Sequence, residues 1–157
     1  MTDKHALRDE LLVQLAAALE AARSAHAAAI EGATHPEARA ENAKDTRGLE
    51  QSYIARGQAQ RVAELEAAVS EIGKLELRDL RDAAVTIGAL ITVTEEAAPS
   101  RRYFLAPHGG GNVLAGDVHV ITPASPRGLA LLGKRAGDVA ELVIAGKPRE
   151  LEITDVT

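Results

Sequence analysis

Residues 6–31 read ALRDELLVQLAAALEAARSAHAAAIE, a stretch with no proline or glycine. Apolar side chains recur every three or four positions, at Leu7, Leu11, Leu15, Ala18, Ala22, Ala25 and Ala29, which is the period of one helix face. The spacing predicts a single long helix with a stripe rich in leucine at its start and alanine at its end. Alanine favours helix but buries little area, so such a helix needs a close partner. Residues 49–72 supply one, with Val62, Leu65, Val69 and Ile72 at the alternating spacing of a coiled-coil seam. The pair is expected to run antiparallel, with the leucines facing Leu65, Val69 and Ile72 and the alanines facing Ala55 and Ala59. A helix of about 27 residues rises ~40 Å, so the far end of this hairpin reaches well beyond any domain at its base.

Residues 32–48 hold the punctuation of a tip. Gly32 is expected to stop the first helix, Thr34-His35-Pro36-Glu37 has the pattern of a capping box with proline in the first turn, and Asp45 or Thr46 is placed to cap the return helix. The hairpin therefore occupies residues 1–73, with an acidic tip near 33–48. Residues 74–84, charged but carrying Leu75, Leu77 and Leu80, read as a linker.

The periodicity then changes. Residues 85–94, 101–105 and 117–122 read as strands, and 140–144 with 148–156 read as a β-hairpin turning at Ala145-Gly146-Lys147. A short helical turn at 129–132 ends at Gly133. Residues 85–157 are thus expected to form an antiparallel sheet of about five strands with one small helix, and the chain as a whole falls in the α+β class.

Composition narrows the functions. With 18 Lys+Arg against 23 Asp+Glu the net charge is −5, which disfavours general binding to nucleic-acid backbones. The absence of cysteine removes disulfides, thiolate metal sites and cysteine nucleophiles. The first ten residues are charged and no apolar run approaches the ~20 residues needed to span a bilayer. A cytoplasmic protein without membrane contact is the expectation.

Ser125-Pro126-Arg127-Gly128-Leu129-Ala130-Leu131-Leu132-Gly133-Lys134, continuing to Gly137-Asp138, combines a helix start with a glycine-terminated stop. Leu131 and Leu132 are expected to plug the concave face of the sheet. This segment resembles the Ser-Pro to Leu-Gly-Lys segment of the Gre-type bacterial transcript elongation factors, whose C-terminal domain is FKBP-like, that is, like the FK506-binding proteins. Glu41-Asn42-Ala43 in the tip is similar to the family's Glu-Asn-Ala. The resemblance implies an RNA-polymerase-binding factor, expected to be monomeric, that docks through Ser125, Pro126 and Arg127. It would insert its hairpin into the secondary channel, near the 3′ end of the nascent RNA. It implies no cofactor in the free protein, but a Mg²⁺ ion shared with the polymerase in the complex. Glu41 is the carboxylate carried over by position. The family's aspartate three residues earlier corresponds to Ala38, leaving Glu37 and Asp45 as acidic neighbours. At four-residue spacing on a helix, Glu37, Glu41 and Asp45 would share one face and could offer hard oxygen ligands to Mg²⁺. Because of Ala38, stimulation of transcript cleavage and a non-cleaving, inhibitory role both remain open.

Two rivals stand beside this reading. A peptidyl-prolyl isomerase needs an aromatic pocket, for which the second domain offers only Tyr103 and Phe104; a coiled-coil adaptor with an unrelated partner needs only the hairpin. Tip residues Arg39, Lys44 and Arg47 read as a solvated charge mixture, and Tyr53 as a residue packed across the hairpin. His35 has no second histidine at ligand spacing. Gly109-Gly110-Gly111, lacking a following Lys-Ser/Thr, reads as a flexible strand connection.

Overall fold

The computed structural model describes residues 2–34 and 47–157. Helix α1 spans Lys4–Thr34 and α2 spans Arg47–Gly73, each running one to three residues past the ends expected from periodicity. The expectation that Gly32 stops α1 is corrected: the helix continues through it. A Cβ at Gly32 would come within 3.0 Å of Gln51 Oε1, so glycine here allows a close approach of α2.

By contacts the chain divides into two compact units, Val13–Ser70 and Met1–Leu12 with Glu71–Thr157. Within the first unit, Arg23 meets Glu66 at 3.3 Å and Gly32 meets Gln51. Partner numbers on α2 fall as those on α1 rise, so the helices are antiparallel. Leu15, Leu19, Ala22 and Ala29 are buried on α1, and Leu65 and Ala68 on α2. The stripe advances from Leu19 to Ala22, His26 and Ala29, because steps of three and four must average the helical 3.6. Ala25 is consequently exposed and His26 half-buried, a correction to the expected stripe. Tyr53 is corrected too. It is 59% exposed, with the Arg56 guanidinium 5.7 Å from its ring centroid.

The second unit is a six-stranded sheet of order β3-β4-β2-β1-β6-β5. Its strands are β1 Leu90–Thr94, β2 Arg101–Leu105, β3 Val113–Leu114, β4 Val118–Ile121, β5 Val139–Ile144 and β6 Lys147–Val156, and α3, Pro126–Leu131, follows β4. The purely antiparallel sheet is corrected to a mixed one, since β2 and β4 pair in parallel, Arg102 opposite Val118 and Leu105 opposite Ile121. Parallel neighbours need a crossover of a dozen or so residues, and the segment from Ala106 to Asp117, including β3, provides it. Residues 85–89, expected as strand, precede β1. The β5–β6 hairpin turns on Ala145 (φ 51°) and Gly146 (φ 76°), both left-handed as a two-residue type I′ turn requires.

Both faces of the sheet are covered. One carries Ile91, Val93, Tyr103, Leu105, Ile121 and Ile153, in a core that Leu131 and Leu80 join. Leu80, from the expected linker, is thus part of the core. By strand alternation the other face carries Leu90, Phe104, Val118 and Val120, each at most 6% exposed. Arg102, on that same face, reaches Thr2 Oγ1 at 2.6 Å, and the Glu10 carboxylate accepts from Ala115 N at 2.9 Å. The first turns of α1, with buried Leu7 and Leu11, therefore lie over it.

Candidate functional site

The start of α3 is built by its own sequence. Ser125 has extended φ and ψ and its Oγ accepts from Gly128 N at 3.1 Å while donating to the Thr122 carbonyl at 2.7 Å. Pro126 follows at the first helical position, where its missing N–H costs nothing. Gly133 (φ 80°) ends the turn, as expected. Leu131 is fully buried, whereas Leu132 is 42% exposed. The expectation that both leucines plug the sheet is corrected: adjacent helical positions point about 100° apart, so only one faces the core.

This start forms one wall of a cavity of about 460 Å³. Ser125, Pro126 and Arg127 line it together with Arg101 and Tyr103 from β2, His119, Val120 and Ile121 from β4, Gly110 and Gly111, and Val143 to Ala145 at the β5–β6 turn. The Arg127 guanidinium carbon lies 5.8 Å from the Tyr103 ring centroid, within cation–π range. The His119 ring is tilted against that of Tyr103, 6.3 Å between centroids, and its Nε2 is 3.1 Å from Asp117 Oδ1. Gly110 and Gly111 belong to a tight connection in which Gly109 and Gly111 adopt positive φ and Gly111 N donates to Val120 O at 3.0 Å.

The three expected docking residues are thus brought together. Arg101, His119 and the β5–β6 turn went unpredicted as their companions, though alternation along β2 places Arg101 on the face of Tyr103. Phe104 is fully buried and on the opposite face from Tyr103, so the two rings cannot line one aromatic pocket. Glu37, Glu41 and Asp45 lie outside the described residues, as do His35, Arg39 and Lys44. Among the described residues no three His, Asp or Glu side chains are grouped to hold a metal ion, and no helix is long and apolar enough to cross a membrane.

A larger hollow, of about 720 Å³, lies beside the start of α1. Its cations are mostly engaged: Lys4 donates to Arg78 O, Arg102 to Thr2 Oγ1 and Gly116 O, and Arg81 to Asp79. Burial lowers the Lys4 pKa, with Asp79 opposing. The Arg81 side-chain hydrogen bond is the chief cause that brings Asp79 from an ordinary 3.8 down to about 2. A depressed folded-state pKa means stability that is present above the unfolded value and lost as pH falls through about 2. A carboxyl NMR titration should place the Asp79 midpoint near 2, and Arg81→Ala should return it towards 3.8. An unchanged midpoint in that variant would remove Arg81 as the cause.

Residues 80–157 match the family model for the C-terminal domain of transcription elongation factor GreA/GreB. Transcription elongation factor GreA of Beijerinckia indica subsp. indica is 31% identical over 97 residues, covering 61% of this chain. The match spans 60% of that relative's length. Among solved structures, GreA factor homolog 1 (Gfh1) of Thermus thermophilus is 20% identical with a TM-score of 0.41, covering 93% of this chain and 94% of that one. GreA/GreB from Nitrosomonas europaea is 21% identical with a TM-score of 0.38, covering 69% and 92%. Through residues 80–157 the chain belongs to the GreA/GreB family of transcription elongation factors.

Proposed function

We propose that this protein binds bacterial RNA polymerase through the α3 cavity, inserts its hairpin into the secondary channel and acts on the polymerase without being an enzyme itself. The observation that carries the reading is the family match over residues 80–157, the domain that holds the cavity, joined to an antiparallel helical hairpin. The tip residues Glu37, Glu41 and Asp45 would then approach the 3′ end of backtracked RNA. Carboxylate oxygens are hard donors that suit Mg²⁺, and so few of them leave its octahedral shell to be completed by the polymerase and the RNA. When bound there, the ion supplies charge for the phosphoryl oxygen and a water for in-line attack. Glu41 holds and orients; it transfers no group. A second reading, occlusion of the channel without cleavage, is favoured by Ala38 in place of an aspartate.

The experiment adds the protein to stalled, backtracked elongation complexes and measures binding and RNA shortening together. Wild-type protein is expected to bind and shorten the RNA. Glu41→Gln preserves size but removes the charge, so it should bind nearly as well and shorten RNA about tenfold more slowly or worse, a loss of ~1.4 kcal/mol or more in transition-state stabilisation. Binding without shortening by the wild type would favour the occluding reading and strip Glu41 of its role. No binding at all would overturn both.

A further inference from the structure

We infer that the α3 cavity receives an aspartate or glutamate side chain of the polymerase, clasped by Arg127; this rests on the polymerase reading above. Three observations converge on an acidic occupant. Among the described residues the buried Arg127 Nε meets no hydrogen-bond partner, so the guanidinium is not already committed through that atom to a carboxylate of this chain. Its guanidinium carbon lies over the Tyr103 ring, 5.8 Å from the centroid, a contact that holds the cation at the cavity wall without giving its N–H groups an acceptor. Among the described residues, the charged or titratable groups lining the cavity are Arg101, Arg127, His119 and Tyr103, with no Asp or Glu. Asp117 engages His119 from an 81% exposed position and does not line the cavity.

A carboxylate fits those N–H groups, since two parallel N–H···O bonds can form along one side of a guanidinium. Phosphate shares that geometry, but the remaining walls decide between them. Ile121, Pro126 and Ile144 make apolar walls that suit a side chain flanked by other apolar side chains. A nucleic-acid backbone would keep its water.

The test titrates purified core polymerase into labelled protein. Arg127→Gln should raise Kd at least about tenfold, because it leaves a desolvated partner charge unanswered, while Arg127→Lys, keeping the charge but losing the fork, should lose less. The Arg127→Lys complex is then treated with a zero-length carbodiimide and digested. The introduced amine should be found joined to an aspartate or glutamate of the polymerase. Unchanged affinity in Arg127→Gln, or a bound Arg127→Lys complex with no cross-link at that position, would overturn the acidic occupant while leaving polymerase binding in place. Competition by a single-stranded RNA oligonucleotide that Arg127→Gln abolishes would overturn it in favour of phosphate. Failure of the wild type to bind polymerase would instead sink the reading on which it rests.

Discussion

Gly128→Ala is expected to cost about 3 kcal/mol or more of folding stability, the upper end of what overpacking does. A methyl group at this position would lie 1.8 Å from the Thr122 carbonyl oxygen and 2.7 Å from its carbon. Those atoms cannot step aside like the end of a side chain, because the same carbonyl accepts from Ser125 N at 3.0 Å and Ser125 Oγ at 2.7 Å. Alanine gains at most ~1 kcal/mol over glycine from helix propensity, too little to offset the clash. Gly133→Ala is the control. Nothing lies near its Cβ and its strain is that of φ 80° alone, about 1 kcal/mol. Urea denaturation of both variants separates the two costs. Equal stabilities would mean that α3 can move off Thr122. Because Ser125 to Arg127 hang on the same contact, the proposed docking through them predicts that polymerase affinity falls with Gly128→Ala even under conditions where the variant remains folded.

The helices were legible because their signal repeats: the stripe from Leu7 to Ala29 survives the misplacement of Ala25, and the end at Gly73 follows the last seam residue Ile72 by one position. The strand at 101–105 was legible through its Tyr103-Phe104-Leu105 run, and that at 147–156 through Ile153, Thr154 and Val156 and the Gly-containing turn before it. β3, two residues long, is too short to carry a period. The parallel pairing of β2 with β4 had no local mark either, since nothing in Arg102 or Val118 says which strand lies beside it. The candidate site divides the same way. Ser125 and Pro126 announce a cap within three residues, but the cavity joins five separated segments, and the approach of Arg127 to Tyr103 depends on how they are folded together. Glu41 rests on the resemblance alone, and Glu37 and Asp45 on their four-residue spacing from it.

Leu11→Ala is expected to cost roughly 2–5 kcal/mol, the range for deleting a buried leucine where the surroundings cannot collapse. Leu11 is wholly shielded from solvent. The chain passes so close at Gly109 (φ 87°) that a Cβ there would come within 2.7 Å of Leu11 Cδ1, so a tight glycine connection is fitted around this one side chain. The lost methyl groups would leave a void bounded by α1 and by backbone already tied, through Asn112 N and Nδ2, to Gly109 O at 3.1 and 2.8 Å. Val13, two residues on and 70% exposed, provides the comparison, and Val13→Ala should change stability by no more than about 0.5 kcal/mol. The location of the damage matters as much as its size. Leu11 is in α1, yet it belongs to the unit that contains the sheet, so amide protection at Phe104 and Val120 should drop in Leu11→Ala along with global stability. If protection in β2 and β4 held while only α1 frayed, the first turns of α1 would be a detachable cover. If it falls, the sheet face bearing Phe104 depends on the base of the hairpin. Residues 80–157 expressed alone would then lack part of their own core.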